Sequence, residues 1–327
     1  MMVIFRELAI LLAGASLCAA PAAGQGWPSR PVTLVVPFAA GGPIDSIGRI
    51  LATALSEQLG QQMIVENVGG AGGMTGTARV AKAAPDGYQV VLGNVGTHAG
   101  NQTIYRHPLY NAATDFTPVM LVVELPLVLL TRRNFPADDL PGFIAYAKAN
   151  QATIQFGSGG AGSATHLACA LLNAAAGFDA THVPYRGGAP AMQDLIAGRI
   201  DYLCIDTPVA LAQIESGTVK PIAVLTHDRT PSLPTLASAH EQGLAGFAAS
   251  NWAALFLPKG TPAPIIGKLH DAAVAAMETP SMQARMKKIG ADVVRPDRRS
   301  PEYLQSFVES EIEKWAGPIK AGGLHAD

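Results

Sequence analysis

Charge is what this chain of 327 residues has least of: 15% is Asp, Glu, Lys or Arg, against about 25% in an ordinary soluble domain. Its 23 basic and 25 acidic residues nearly cancel. Without clustered Lys and Arg to neutralise phosphates, nucleic acid is not an expected partner. Cysteine is scarce too, limited to Cys18, Cys169 and Cys204 with no CxxC spacing for zinc or redox chemistry. HExxH and GxSxG are both missing, which removes the usual zinc-protease and serine-hydrolase signatures. Beyond the N-terminus no segment is apolar enough to span a membrane, since Val119 to Leu130 is broken by Glu124 and Pro126. With 49% hydrophobic residues the chain is not disordered, and its length admits two domains of about 150 residues each.

The N-terminus reads as an export signal. Arg6 precedes an apolar run from Leu8 to Ala20, and Ala20-Pro21-Ala22 and Ala22-Ala23-Gly24 are both acceptable cleavage sites. The run is shorter than the roughly 18–20 residues a span needs, and Leu17 before Cys18 does not suit lipid attachment. Residues 1–24 are therefore assigned as a signal peptide, whose loss removes Arg6 and Glu7 and leaves 22 basic and 24 acidic residues. Cys169 lies in an apolar helical stretch and Cys204 in an apolar strand. Buried free thiols are the plainer expectation, and a disulfide is the alternative that an oxidising compartment permits.

What is present is alternation and glycine. From Val32 the pattern repeats strand, glycine loop, helix: VTLVV, PFAAGGP, then IDSIGRILATALSEQLG with apolar residues at helical spacing. MIVENV, GGAGGMTGTARVAKA and YQVVLG continue it, and after LVVELPLVLLTRR it restarts with TIQFG, SGGAGS, ATHLACALLNAAAG, THVPY, RGGAP, AMQDLIAGRI and DYLCID. Such alternation argues for a mainly parallel α/β sheet. Two halves joined by crossing strands near 119–130 and 248–256 would enclose a hinged cleft. Of 34 glycines, 11 sit in three loops: Gly41 and Gly42; Gly69, Gly70, Gly72, Gly73 and Gly76; Gly157, Gly159, Gly160 and Gly162. Each loop follows a strand and opens a helix, where unpaired N–H groups and the positive end of the dipole make an anion site. For Gly69 to Gly76, tight turning and close packing is the better reading.

Enzymatic signals are weak. Gly157 to Gly162 is a formal GxGxxG, but the acid that should follow at the end of the next strand is absent, because Asp179 precedes THVPY. His166, in the first turn of a helix, and His98, after YQVVLG, are the histidines best placed to face an anion. A nucleophile, an oriented base and a third partner are not visible together.

Taken together these segments resemble the Bug family, the substrate-binding proteins of tripartite tricarboxylate transporters. The resemblance runs through WPSRPVTLVVPFAAGGPIDSIGRILA, VENVGGAGGMTGTARVAKAAPDGYQVVLG, THAGNQTIY, QFGSGGAGSATHLACALL, HVPYRGGAPAMQDLIAGRID and EIEKWAGPIKAGG, in that order. ENVGGAGG, NVGTH and CIDTPVAL depart from the usual wording. The resemblance implies a periplasmic α/β protein of two lobes, a Venus flytrap with a mainly parallel sheet in each lobe and a ligand cleft between. Lobe 1 would take residues 25–122 and 252–327, and lobe 2 residues 123–251. It further implies no enzyme activity, no cofactor and no metal. The expected partners are a small organic acid (mono- or dicarboxylate, amino acid or aromatic acid) and the membrane permease subunits, with the binding protein itself a monomer.

By matching position, a ligand carboxylate would be held, partly through water, by the loop carrying Phe38, Ala40, Gly41, Gly42 and Asp45 and by the loop carrying Ser158, Gly159, Ser163 and His166. Asn94, Thr97, His98, Tyr185, Arg186 and Asp206 would read the rest of the ligand. Asp45 is expected to order its loop rather than touch an anion. Asp206 either faces the cleft, favouring a ligand with a hydrogen-bond donor, or caps the helix PVALAQ. Arg186 either pairs with a distal carboxylate or is solvated. The alternatives are a sensory subunit for a membrane kinase and an exported hydrolase or isomerase using His166 with Ser163 or Thr165.

Overall fold

The computed structural model describes residues 26–321 and 323–325, so the expected signal peptide lies outside the described residues. Its first strand, β1 (Val32–Val36), has four of five side chains buried. It runs parallel between β2 (Met63–Asn67) and β3 (Gln89–Asn94), with Leu34 opposite both Val65 and Val90. A strand covered on both faces is a near-continuous apolar run, which VTLVV is. Between β1 and β2, α1 (Pro43–Leu59) buries Ile44, Ile47, Leu51, Leu55 and Leu59 along one face. It stops at Gly60, whose φ of 67° lets its N–H return to the Ser56 carbonyl. Then α2 (Met74–Ala81) joins β2 to β3, and a wide helical turn at Gly96–Gly100 leads into the single turn of α3 (Asn101–Ile104).

The next strand, β4 (Phe116–Arg132), belongs to both halves of the molecule. Up to Pro126 it pairs antiparallel with β9 (Ser250–Pro258), which in turn pairs with β3. From Leu127 it pairs antiparallel with β7 (Tyr202–Asp206) and β8 (Val219–Val224). Between these segments the chain repeats its alternation: α4 (Leu140–Ala149), β5 (Gln155–Ser158), α5 (Ala164–Ala176), β6 (Thr181–Pro184), α6 (Gly188–Ile196), then β7 followed by α7 (Thr207–Glu215). β5 lies parallel between β6 and β7. The strand order is β2-β1-β3-β9-β4-β7-β5-β6. Each half thus has the expected parallel core, and the crossing strands β4 and β9 add antiparallel pairings between them.

The C-terminal elements are α8 (Ala263–Glu278), α9 (Pro280–Lys288), the short β10 (Asp292–Val293) and α10 (Pro301–Ala321). They cover the first half, while one apolar core runs under both halves and takes in Leu304, Val308, Trp315 and Ile319 of α10. In it the buried Glu311 accepts from the indole N–H groups of Trp252 and Trp315 at 3.0 and 3.1 Å.

The expectation of free thiols is corrected. Cys169 and Cys204 form a disulfide with Cα atoms 5.4 Å apart. α5 lies against β7, so two cysteines 35 residues apart in sequence face each other. Both are fully buried, as the apolar surroundings suggest.

Candidate functional site

A helix that follows a parallel strand starts at the strand's carboxyl end, so the loops there gather at one edge of the sheet. In this molecule the two edges face one another across a narrow cavity. Phe38, Pro43, Ile44 and Asn94 line it from the first half, and Gly159, Ser163, Ala164, Thr165, Gly188 and Asp206 from the second.

Four helices begin at these walls. α1 starts at Pro43, α5 at Ala164, α6 at Gly188 and α7 at Thr207, directly after Asp206. First-turn N–H groups have no acceptor within their own helix, and the dipole places partial positive charge there. Ile44, Ala164, Thr165 and Gly188 are first-turn residues of this kind that also line the cavity. No Lys, Arg or His is among the lining residues. An anion here would meet backbone and hydroxyl donors and no cationic side chain.

Local hydrogen bonds shape the loops. Asp45 accepts from the N–H of Gly41 at 2.8 Å, from Arg49 Nε at 2.9 Å and from Asn67 Nδ2 at 2.9 Å. Burial pushes this carboxyl up, but the hydrogen bonds from Arg49, Gly41 and Asn67 together with the Arg49 charge hold it below the usual range. It orders the loop, as its first-turn position suggests. In the facing loop Ser163 accepts the His166 N–H at 3.3 Å, and Thr165 Oγ1 accepts the Gly159 N–H at 2.8 Å.

Asp206 is the one ionisable side chain in the lining. Although it is the N-cap of α7, its carboxyl makes no capping hydrogen bond. Oδ1 accepts instead from Asn251 Nδ2 at 2.8 Å. The Asn251 amide is oriented by its own oxygen, which accepts from the N–H of Trp252 at 2.9 Å and of Val95 at 3.4 Å. Burial raises the Asp206 carboxyl to about 7, the Asn251 hydrogen bond opposing the shift.

Phe38, Asn94, Gly159, Ser163 and Asp206 are thus brought together, and the remaining positions carried over from the resemblance lie elsewhere. Ala40 and Gly41 are exposed at the rim, and the Gly41 N–H is taken by Asp45. Gly42 caps α1 and faces the backbone of Gly188 and Ala189. Thr97 exchanges hydrogen bonds with Asn94, shaping that loop.

The expectation that His98 and His166 face an anion is corrected. His98 stacks on Phe256 with ring centroids 3.8 Å apart, wholly buried and pushed down to about 3 by burial. His166 stacks on His182 at 4.1 Å and accepts the Gly162 N–H on Nδ1. Burial, then the neighbouring His182, lowers it to about 3. Ser158 is engaged by His182 Nε2 at 2.6 Å and by the Gly160 N–H. The Tyr185 hydroxyl donates to Asp194 at 2.7 Å. Arg186 is exposed, and it is its carbonyl that reaches across, accepting the Ala39 N–H at 3.0 Å. Pro43, Ile44, Ala164 and Thr165 fall within the two loops already singled out. Gly188 and Asn251 do not; RGGAP hinted at the first, and no local pattern points to the second.

The halves also touch along a seam of glycine. A Cβ on Gly72 would collide with the Ala161 carbonyl, one on Gly69 would come within 2.9 Å of the Arg186 carbonyl, and one on Gly187 within 2.9 Å of the Ala39 nitrogen. Tyr105 adds a hydrogen bond to the Ala161 carbonyl at 2.9 Å. Close packing is what the Gly69 to Gly76 loop does, and it does it between halves.

Residues 47–324 match the model of the tripartite tricarboxylate transporter family receptor. A UPF0065 protein of Agrobacterium vitis is 40% identical over 318 residues, 97% of this chain and 92% of its own. The periplasmic binding protein BugD superposes with a TM-score of 0.89 at 39% identity, over 92% of this chain and 100% of BugD. MatC from Rhodopseudomonas palustris, solved with malate bound, gives 0.87 at 38% identity over 90% and 100%.

Proposed function

The chain belongs to the tripartite tricarboxylate transporter receptor family, and from that premise we propose that it is an exported protein that captures a small carboxylate-containing organic anion in the interlobe cavity and delivers it to membrane permease subunits. Proteins of this family are periplasmic solute-binding proteins, not enzymes. The observation that carries the reading is the convergence of four helix N-termini on a cavity with no cationic side chain in its lining. A carboxylate there would accept from first-turn N–H groups of α1 on one side and α5 or α6 on the other. Bridging both halves, it would favour the closed form, and that differential affinity is the signal a permease can read. We favour a slim acyclic acid, whose carboxylate can be reached from both walls of the cavity. Malate on the similar MatC is a ligand of that shape.

Thermal melts and calorimetry of the mature protein against short mono- and dicarboxylates, hydroxy acids, amino acids and nicotinate test this. Binding stabilises the folded protein by mass action, by about 2.7 kcal/mol at a hundredfold excess over Kd, and so raises the melting temperature. No stabilisation by any acid overturns the proposal. Mass spectrometry of the protein from a periplasmic extract checks export, with a chain beginning near Ala23 to Trp27 expected.

A further inference from the structure

We infer that Asp206 sets the class of acid the cavity takes, selecting ligands that carry a hydroxyl or ammonium donor near their carboxylate over the unsubstituted acid. This rests on the function proposed above and narrows it. The geometry supports it in three steps. Asp206 is 2% exposed and lines the cavity. One of its oxygens is committed to Asn251, and among the described residues its own backbone N–H is the only other donor to the carboxyl. A buried carboxylate with acceptor capacity left unused is costly, so a donor arriving with the ligand is favoured there, and a second carboxylate is repelled.

Among the described residues no neighbouring charge changes this. Asp45 of α1 is turned toward Arg49 and Asn67. Asn94 of β3, Ser163 at the cap of α5, Thr165 within it and Asn251 of β9 are neutral, and Thr207 of α7 donates to the Gly290 carbonyl. The Asn251 amide cannot turn to relieve Asp206, because its oxygen is held by two backbone N–H groups.

In the empty protein burial raises the Asp206 carboxyl to about 7, so near neutral pH part of the population carries its proton. A donor-bearing ligand stabilises the ionised form and expels that proton; an unsubstituted dicarboxylate keeps it.

The test is calorimetry with matched pairs: lactate and propionate, malate and succinate, aspartate and succinate. The substituted acid is expected to bind at least tenfold more tightly. Its binding at pH 7 should release a fraction of a proton, read from the dependence of the heat on buffer ionisation enthalpy. Asp206→Asn keeps the shape and the Asn251 hydrogen bond but turns a donor toward the cavity, so the preference should vanish or reverse. Equal affinities within each pair, or a preference that Asp206→Asn leaves unchanged, overturn the inference while the proposed function stands. Proton uptake with the substituted acids also overturns it, and needs no variant. Failure of every acid to bind overturns both.

Discussion

Two aspartates at helix starts show how far environment separates like side chains. Both are shielded from solvent, but Asp206 lies in the more enclosed surroundings with one side-chain donor, so burial raises it to about 7, while three donors hold the less deeply set Asp45 below the usual carboxylate range. Asp45→Ala removes the clasp on the Phe38 to Asp45 loop. It should cost about 1–3 kcal/mol in urea unfolding and weaken ligand binding, and an unchanged midpoint would show that the loop does not need it. Both loops were legible at residue level, because glycine between a strand and a helix has a physical meaning without knowledge of the fold. The two histidines were not. A lone imidazole in a glycine-rich stretch looks like a ligand contact until its packing is known, and Phe256 lies more than 150 residues away from His98 in sequence. Asn251 gave no local sign, since its partner Asp206 is 45 positions distant.

At the scale of elements, periodicity recovered the parallel units well. α1, α5 and β1 begin and end close to where apolar spacing and glycine place them. The turn at Gly96–Gly100 and the short α3 were missed, because NVGTHAGNQ carries neither period. The disulfide ties α5, whose first turn lines the cavity, to β7, which ends at Asp206. Replacing both Cys169 and Cys204 by alanine should lower stability by about 2–4 kcal/mol, and reduction of the unaltered protein should lower the melting temperature similarly. Identical melts with and without reductant would argue against the bond. The seam makes a different demand. Gly72, at φ 58°, cannot take a side chain without meeting the Ala161 carbonyl. Gly72→Ala should weaken ligand binding by more than tenfold, with solution scattering showing a larger radius of gyration when ligand is present; unchanged affinity would mean closure does not use this contact.

For the whole molecule, burial of three imidazoles fixes the response to acid. His98, His166 and His182 are pushed down to about 3, 3 and 4, chiefly by burial, from about 6.5 when unfolded. Their contribution is complete above pH 6.5 and is lost as pH falls, because the unfolded chain takes up protons that the folded one refuses. Asp206 acts the other way, binding a proton when folded between its unfolded value of 3.8 and about 7. Between about pH 6 and 4.5 these groups give a net uptake of about two protons on unfolding, three at the histidines less one at the aspartate. The melting temperature should therefore fall across that interval, and a rise would contradict the burial of these rings.

The shared strand has a consequence in time as well as in space. β4 runs unbroken from the pairing with β9 to the pairing with β7 and β8, so neither half can shed its sheet alone. In hydrogen–deuterium exchange the amides of Val119 to Leu125 and Leu127 to Leu130 should open only when the entire chain unfolds, and their rates then report global stability. Amides near Gly72 and Ala161 should exchange far sooner, on the clock of the cleft, and ligand should slow that clock while leaving the slow one tied to the stability it adds.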